Sequence, residues 1–481
     1  MTGSSQSLQR RKKQDRVKEI KTTLIRRGTV VSSQIVSKQD VLIQGEQITA
    51  LGDLSNIEAD TVIDAEGLLV LPGAVDTHVH FNDYFMNTVS VHDFYTGTLA
   101  AAHGGVTSIV DFANQAPGKS LHDALESKKE EAEGKALVDW GIHPVITQPT
   151  SETLEEIPLI AELGAPTIKC YMTYREEGLM IKDADLARIL ESLRLAGGML
   201  MVHAEDNDII EENVPRMIGE GLTQPIYHAK SRPPEAENLA ISRCIQLVRE
   251  TGGRLFIVHM ATDKGIELVE KAQREGLDIF AETCTHYLIF TEKMLEREDG
   301  IKWVCSPPLR NQSIQDRLWE GVRDGCLSMV TSDDAAYSWE AKLQGAERFD
   351  RCPNGIPGIE PRLTILYSEG VDRGRISLQR FVELISTAPA RLFGLTPKKG
   401  SITPGSDADV VLFNPKAKWA MSQKTLHMAA DWSAYENIEV TGKIEKVFSR
   451  GELIIDGEKC LAQKGRGRYL HRKLDLSVHP N

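Results

Sequence analysis

Eight short apolar runs of β-forming residues recur through the middle of the chain, at 73–80, 106–112, 138–147, 167–174, 199–203, 255–260, 278–283 and 327–331. Helix-patterned stretches separate them, at 92–102, 121–132, 185–195, 235–250, 264–274 and 313–323, several stopped by a glycine such as Gly104, Gly197 or Gly252. Near-continuous apolar strands belong to a parallel sheet buried on both faces, and eight strand-plus-crossover repeats are what a (β/α)8 barrel requires. The fold class expected is α/β, a TIM-like barrel over 73–399.

The two ends have a different texture. Short β-rich runs at 23–31, 35–43, 47–51, 62–63 and 68–70 are broken by glycine and polar pairs, and similar runs return at 408–413, 446–448 and 452–455 after the turn residues Thr403, Pro404, Gly405 and Ser406. Residues 21–72 and 400–460 are therefore expected to share one small β-sandwich domain. Residues 1–20, with Arg10, Arg11, Lys12 and Lys13 in one run, read as a charged extension without assigned function, and 461–481 as a C-terminal tail.

A chain of 481 residues has room for a large barrel and a smaller domain. Its net charge of −13 argues against nucleic acid and anionic lipid as partners. The 7 cysteines are scattered without a C-x-x-C pair, so neither a disulfide framework nor a cysteine-based zinc site is indicated. No signal-peptide core and no run of about 18 apolar residues is found, which makes no membrane association and a cytoplasmic setting the expectation.

Barrel active sites are built at the C-terminal ends of the strands, and five of the eight runs end there in an ionisable residue: His78 and His80 on the first, Lys169 on the fourth, His203 on the fifth, His259 on the sixth, Asp333 after the eighth. His78 and His80 are two apart in a strand and share a face. Imidazole and carboxylate together suit zinc, manganese, iron or nickel better than magnesium or calcium. A protonated lysine would repel such ions, but burial lowers a lysine's pKa, and the neutral amine can add CO2 to become a carbamate long enough to bridge two metals. Two ions so bridged, about 3.5 to 4 Å apart, can share a hydroxide whose parent water has its pKa lowered toward roughly 7. Asp333 can then take the proton of that nucleophile and pass it to a leaving nitrogen.

From about residue 23 to 469 the chain resembles the amidohydrolase superfamily, and within it the cyclic amidases of the dihydropyrimidinase and D-hydantoinase type. The resemblance is carried by DTHVH at 76–80, DFYTGTLAAAHGGVTSIVDF at 93–112, IKCYMTY at 168–174, HAE at 203–205, YHAKSRPPEAE at 227–237, ETCTHYL at 282–288, SPPLR at 306–310, Ser332 with Asp333, and PNGIPGIEPR at 353–362. It implies metal-dependent hydrolysis of the C–N bond of a hydantoin, dihydropyrimidine or related cyclic imide. It also implies two divalent ions, commonly zinc, bridged by carboxylated Lys169, with His78, His80 and Asp333 on the more buried ion and His203 and His259 on the more exposed one. By the same resemblance Tyr174 steadies the oxyanion of the tetrahedral intermediate, and Ser306 and Asn354 stand where backbone groups bind the cyclic amide. Homotetramers are typical of such enzymes, and the polar tail 465–481 is compatible with a segment that reaches a neighbouring subunit.

Four departures lie near the expected pocket. Asp334 and Ala335 follow Asp333 and are read as a second acid at the mouth; 81–87 (FNDYFMN) is unlike the usual apolar substrate-facing loop; Thr285 and His286 stand where Pro and Gln are frequent; and Arg175 follows Tyr174. Two other readings are an allantoinase or dihydroorotase-type hydrolase, which the 227–237 and 353–362 segments fit poorly, and a non-catalytic scaffolding relative, which would have lost metal ligands that this chain keeps.

Overall fold

A computed structural model describes residues 21–480; the basic stretch 1–20 and Asn481 lie outside the described residues. The barrel strands are β1 (Ala74–Val79), β2 (Val106–Asn114), β3 (Asp139–Val145), β4 (Thr167–Tyr171), β5 (Met199–His203), β6 (Leu255–Ile257), β7 (Ile279–Cys284) and β8 (Met329–Thr331). They pair in chain order and in parallel. The ring closes just beyond β8, where the His80 N–H donates to the Asp334 carbonyl at 2.9 Å and Val79 bridges Asp334 in parallel.

Five strands, β1, β3, β4, β6 and β8, are shorter than their apolar runs suggest, and beyond β4 and β6 the backbone gives a reason. Tyr174 and His259 adopt φ of 65° and 39°, and Asp333 adopts 48° just past β8. Non-glycine residues in this region are uncommon and cost of order 1–3 kcal/mol each. Each marks a chain that leaves the strand direction as it emerges from the barrel mouth, which is where these side chains are needed.

The crossovers include two helices whose prolines hide them in the sequence, Ser151–Glu162 around Pro158 and Asn207–Gly219 around Pro215. An interior proline costs a helix about 3 kcal/mol, and burial of Ile157 and Ile160 in the first and of Ile210 and Met217 in the second offsets that cost.

Both ends of the chain interleave outside the barrel. A seven-stranded sheet places Leu69–Pro72 antiparallel to Val410–Ala420, with Glu439–Ser449, Glu452–Asp456 and Lys459–Cys460 beyond on one side and Thr29–Val31 and Val36–Lys38 on the other. A four-stranded sheet of Gln47–Gly52, Asp40–Gln44, Thr22–Arg26 and Thr61–Asp64 packs on it through Ile25, Val41, Ile43, Val70, Val410, Leu412 and Phe448. The run 23–31 is thus two strands in two sheets. It breaks at Arg27, with φ of 63°, and at Gly28, where a Cβ would lie 2.4 Å from Val70 Cγ2.

The described part of the tail lies on its own barrel. Trp140 N–H donates to the Arg468 carbonyl at 3.0 Å and Leu470 N–H to the Trp140 carbonyl at 2.7 Å. Fully buried Arg472 donates to Thr167 Oγ1 at 3.0 Å, and Arg254 holds the Asp475 and Leu476 carbonyls at 3.2 and 3.0 Å. These contacts cluster at the starts of β3, β4 and β6, so the tail closes the barrel floor opposite the site.

Candidate metal centre

One cavity at the C-terminal mouth is lined by His78, His80, Lys169, His203, His259 and Asp333, and the same cavity takes in Tyr174, Ser306 and Asn354. All nine residues singled out in the sequence are brought together. Asp333 Oδ1 lies 3.1 Å from His78 Nε2 and 3.4 Å from His80 Nε2. The His203 and His259 rings are 4.5 Å apart, centre to centre, and His78 lies 5.5 Å from His259. Lys169 Nζ sits 5.0 Å from the ring centres of both Phe112 and Tyr171. Asn354 Nδ2 approaches Tyr174 Oη at 3.4 Å, and Ser306 Oγ approaches His228 Nε2 at 3.3 Å.

Three of the four histidines are held from behind by a carboxylate. His78 Nδ1 donates to Glu282, His80 Nδ1 to Asp83 Oδ2 at 3.0 Å, and His203 Nε2 to Glu205 Oε2 at 2.7 Å. Such a partner fixes the tautomer, turns the other nitrogen toward the cavity and raises its basicity as a ligand. Sequence reading missed all three acids, although Glu205 and Glu282 lie inside the quoted motifs. For Asp83 and Glu205 the available signal is spacing, three and two residues past a histidine.

The donor set fits divalent metal. His259 Nδ1 is buried without a hydrogen-bond partner, an arrangement that costs desolvation unless something accepts the lone pair. Burial pushes the His203 and His259 pKa values down, which keeps those rings neutral and able to donate. Burial alone would raise the Asp333 pKa, but His78 and His80 outweigh it and hold the carboxylate well below its ordinary range. For Lys169 burial dominates, against the pull of Asp333 and Glu282, and brings the amine down to about 8. His78, His80 and Asp333 offer three ligand atoms within 4.8 Å of one another. Cys284, His286 and Asp333 form a second such group; there burial pushes the Cys284 thiol far up, so it stays protonated and a poor ligand.

The departures resolve differently from the reading of them as pocket residues. Asp334 is not at the mouth: it is fully buried, facing His92 and the N–H groups of Gly358 and Ile359. Arg175 is half exposed and pairs with Asp208 and Glu211 at the rim of an adjoining cavity. Residues 81–87 belong to a hairpin, Tyr84–Phe85 against Thr88–Val89, turned by Met86 and Asn87 with φ of 48° and 59°. Positive φ at both turn residues matches the twist of a two-residue hairpin. It sets Phe85 in the cavity wall, 5.0 Å from the Tyr174 ring. His286 is buried with both ring nitrogens unpartnered.

A model described as the amidohydrolase family matches residues 69–454. The chain is 39% identical over 455 residues to a D-hydantoinase of Geobacillus stearothermophilus, covering 94% of this chain and 96% of that protein. It is 41% identical over 454 residues to a D-phenylhydantoinase of Escherichia coli O1:K1, covering 94% and 98%. Among solved structures, a dihydropyrimidinase from Brevibacillus agri superposes with a TM-score of 0.92 at 40% identity, covering 94% of this chain and 99% of that one.

Proposed function

This chain belongs to the amidohydrolase family and is a metal-dependent hydrolase of cyclic amides, and we propose that it opens the ring C–N bond of a hydantoin, dihydropyrimidine or related cyclic imide. The observation that carries this reading is the convergence of four histidines, a buried lysine and one aspartate on a single cavity. His78, His80 and Asp333 would hold one ion and His203 and His259 a second, with Lys169 carboxylated between them. We assign zinc on the family resemblance, an ion that imidazole and carboxylate donors accommodate. An amine brought down to about 8 has a neutral fraction near neutral pH, which is the form that captures CO2.

When bound, the two ions supply Lewis acidity, which polarises the scissile carbonyl and lowers the pKa of the attacking water. The protein groups do the rest. Asp333 accepts the proton as the water oxygen bonds to the carbonyl carbon, and returns it to the ring nitrogen as the C–N bond breaks. Tyr174 Oη donates to the developing oxyanion, and backbone groups at Ser306 and Asn354 position the ring amide. We place the enzyme in the cytoplasm, where reduced cysteines are the rule, since its seven cysteines are unpaired and six are buried. We assign a homotetramer on the family resemblance.

The test is a decyclisation panel of hydantoin, dihydrouracil, succinimide and allantoin, with metal analysis and intact mass of the same sample. The expectation is opening of hydantoin or dihydrouracil, two divalent ions per chain, and Lys169 heavier by one CO2. Turnover of allantoin alone, or an active enzyme with no metal and an unmodified lysine, overturns the reading.

A further inference from the structure

The segment 227–237 buries Arg232 and Glu237, two charged side chains that the chemistry above does not use. Arg232 Nη1 donates to Glu205 Oε2 at 2.8 Å, the same oxygen that accepts from His203 Nε2. Its guanidinium carbon lies 5.1 Å from the centre of the Tyr174 ring. The Arg232 carbonyl accepts from Arg310 Nη1 at 2.6 Å, Arg310 Nη2 reaches Glu237 Oε2 at 3.5 Å, and Glu237 Oε1 accepts the Ala261 N–H at 2.7 Å, two residues past His259. One buried chain of contacts therefore stands behind both histidines of the second ion position and against Tyr174. Burying a guanidinium and a carboxylate together is at best weakly stabilising, so a geometric role explains the pair better than stability does.

We propose that Arg232 is a positioning residue for the reaction: it holds Glu205 against His203, so that His203 Nδ1 faces the cavity, while its planar face sets the Tyr174 ring. The inference rests on the reading of the site as a dinuclear cyclic amidase. Only arginine can do both, because a lysine at 232 reaches a carboxylate as a point charge but has no flat face to stack on a ring.

The two contacts separate in Arg232→Lys and Arg232→Met. Arg232→Lys, which keeps the charge beside Glu205 and serves as the second variant should Arg232→Met fail to fold, is expected to retain wild-type metal affinity while kcat falls about 10- to 100-fold at a KM within about threefold. Arg232→Met is expected in addition to weaken one of the two metal sites about 10- to 100-fold, read by chelator competition on the metal-stripped protein, which needs no substrate. Guanidinium ion added to Arg232→Ala should restore part of kcat, whereas methylammonium should not. Wild-type kcat and metal affinity in Arg232→Lys and Arg232→Met, or losses that follow the unfolded fraction without rescue, overturn the proposal. A wild-type protein that opens no cyclic amide would instead overturn the functional reading, and the chelator measurement would still judge Arg232.

Discussion

His92 Nδ1 lies 2.6 Å from Asp334 Oδ2 in the interior, with both side chains fully buried. The Ala429 N–H donates to His92 Nε2 at 3.1 Å, so the ring must donate through Nδ1, and the remaining carboxylate oxygen takes the N–H groups of Gly358 and Ile359 at 2.7 and 3.0 Å. Of two adjacent aspartates, Asp333 lines the histidine cavity and Asp334 faces away, tying the barrel rim to the 353–362 segment and to the loop at Ala429.

Asp334 should therefore behave as a structural residue. Asp334→Leu leaves three buried donors without an acceptor and is expected to cost about 3–5 kcal/mol, seen as a lowered Tm. Arg175→Gln, which removes only half-exposed ion pairs, should leave Tm nearly unchanged. A thermal melt of Asp334→Leu superimposable on wild type would return Asp334 to the list of pocket residues.

In the proposed mechanism Asp333→Asn keeps a ligand oxygen but loses the proton acceptor. It is expected to retain most of the metal while turnover drops by several powers of ten, measured by metal analysis alongside kcat. Unimpaired turnover would remove Asp333 from the proton-transfer role.

Tyr174→Phe keeps the ring against Phe85 and Arg232 and removes the hydroxyl alone. Loss of one oxyanion donor is worth about 2.7–4 kcal/mol, so kcat should fall roughly 100- to 1000-fold with metal content and Tm unchanged. A fall in KM-dependent binding only, at constant kcat, would assign the hydroxyl to the ground state.

Away from the site, His103 stacks on His427 with ring centres 3.4 Å apart, and burial, with the neighbouring His427, brings its pKa down to about 4. A folded-state pKa below the unfolded 6.5 contributes stability that is complete above pH 6.5 and is lost as pH falls toward 4. His103→Phe keeps a buried ring without the titration. Its stability relative to wild type should rise as pH falls through that window, with a ceiling of ~3 kcal/mol, measured by denaturant unfolding at pH 7 and pH 4.5. Parallel pH profiles for the two proteins would disprove the assignment.

The eight strands were legible because a strand buried on both faces must be written in apolar residues, and the site because an ionisable group at the end of such a strand has no packing reason to be there. His78, His80, Lys169, His203, His259 and Asp333 are all readable in this way. The acids Asp83, Glu205 and Glu282 were not, since a carboxylate near a histidine in sequence does not reveal which nitrogen it holds until the ring is placed. Nor was the split at Arg27 and Gly28, which depends on Val70 lying against the turn. Local sequence determined the strand count, the residue types that gather at the barrel mouth and the family. Only the tertiary structure decided which way each side chain faces: Asp333 inward and Asp334 outward, the tail beneath its own barrel, Arg232 behind His203. Direction depends on a backbone torsion or a distant partner, and neither is encoded in the spacing of residues along the chain.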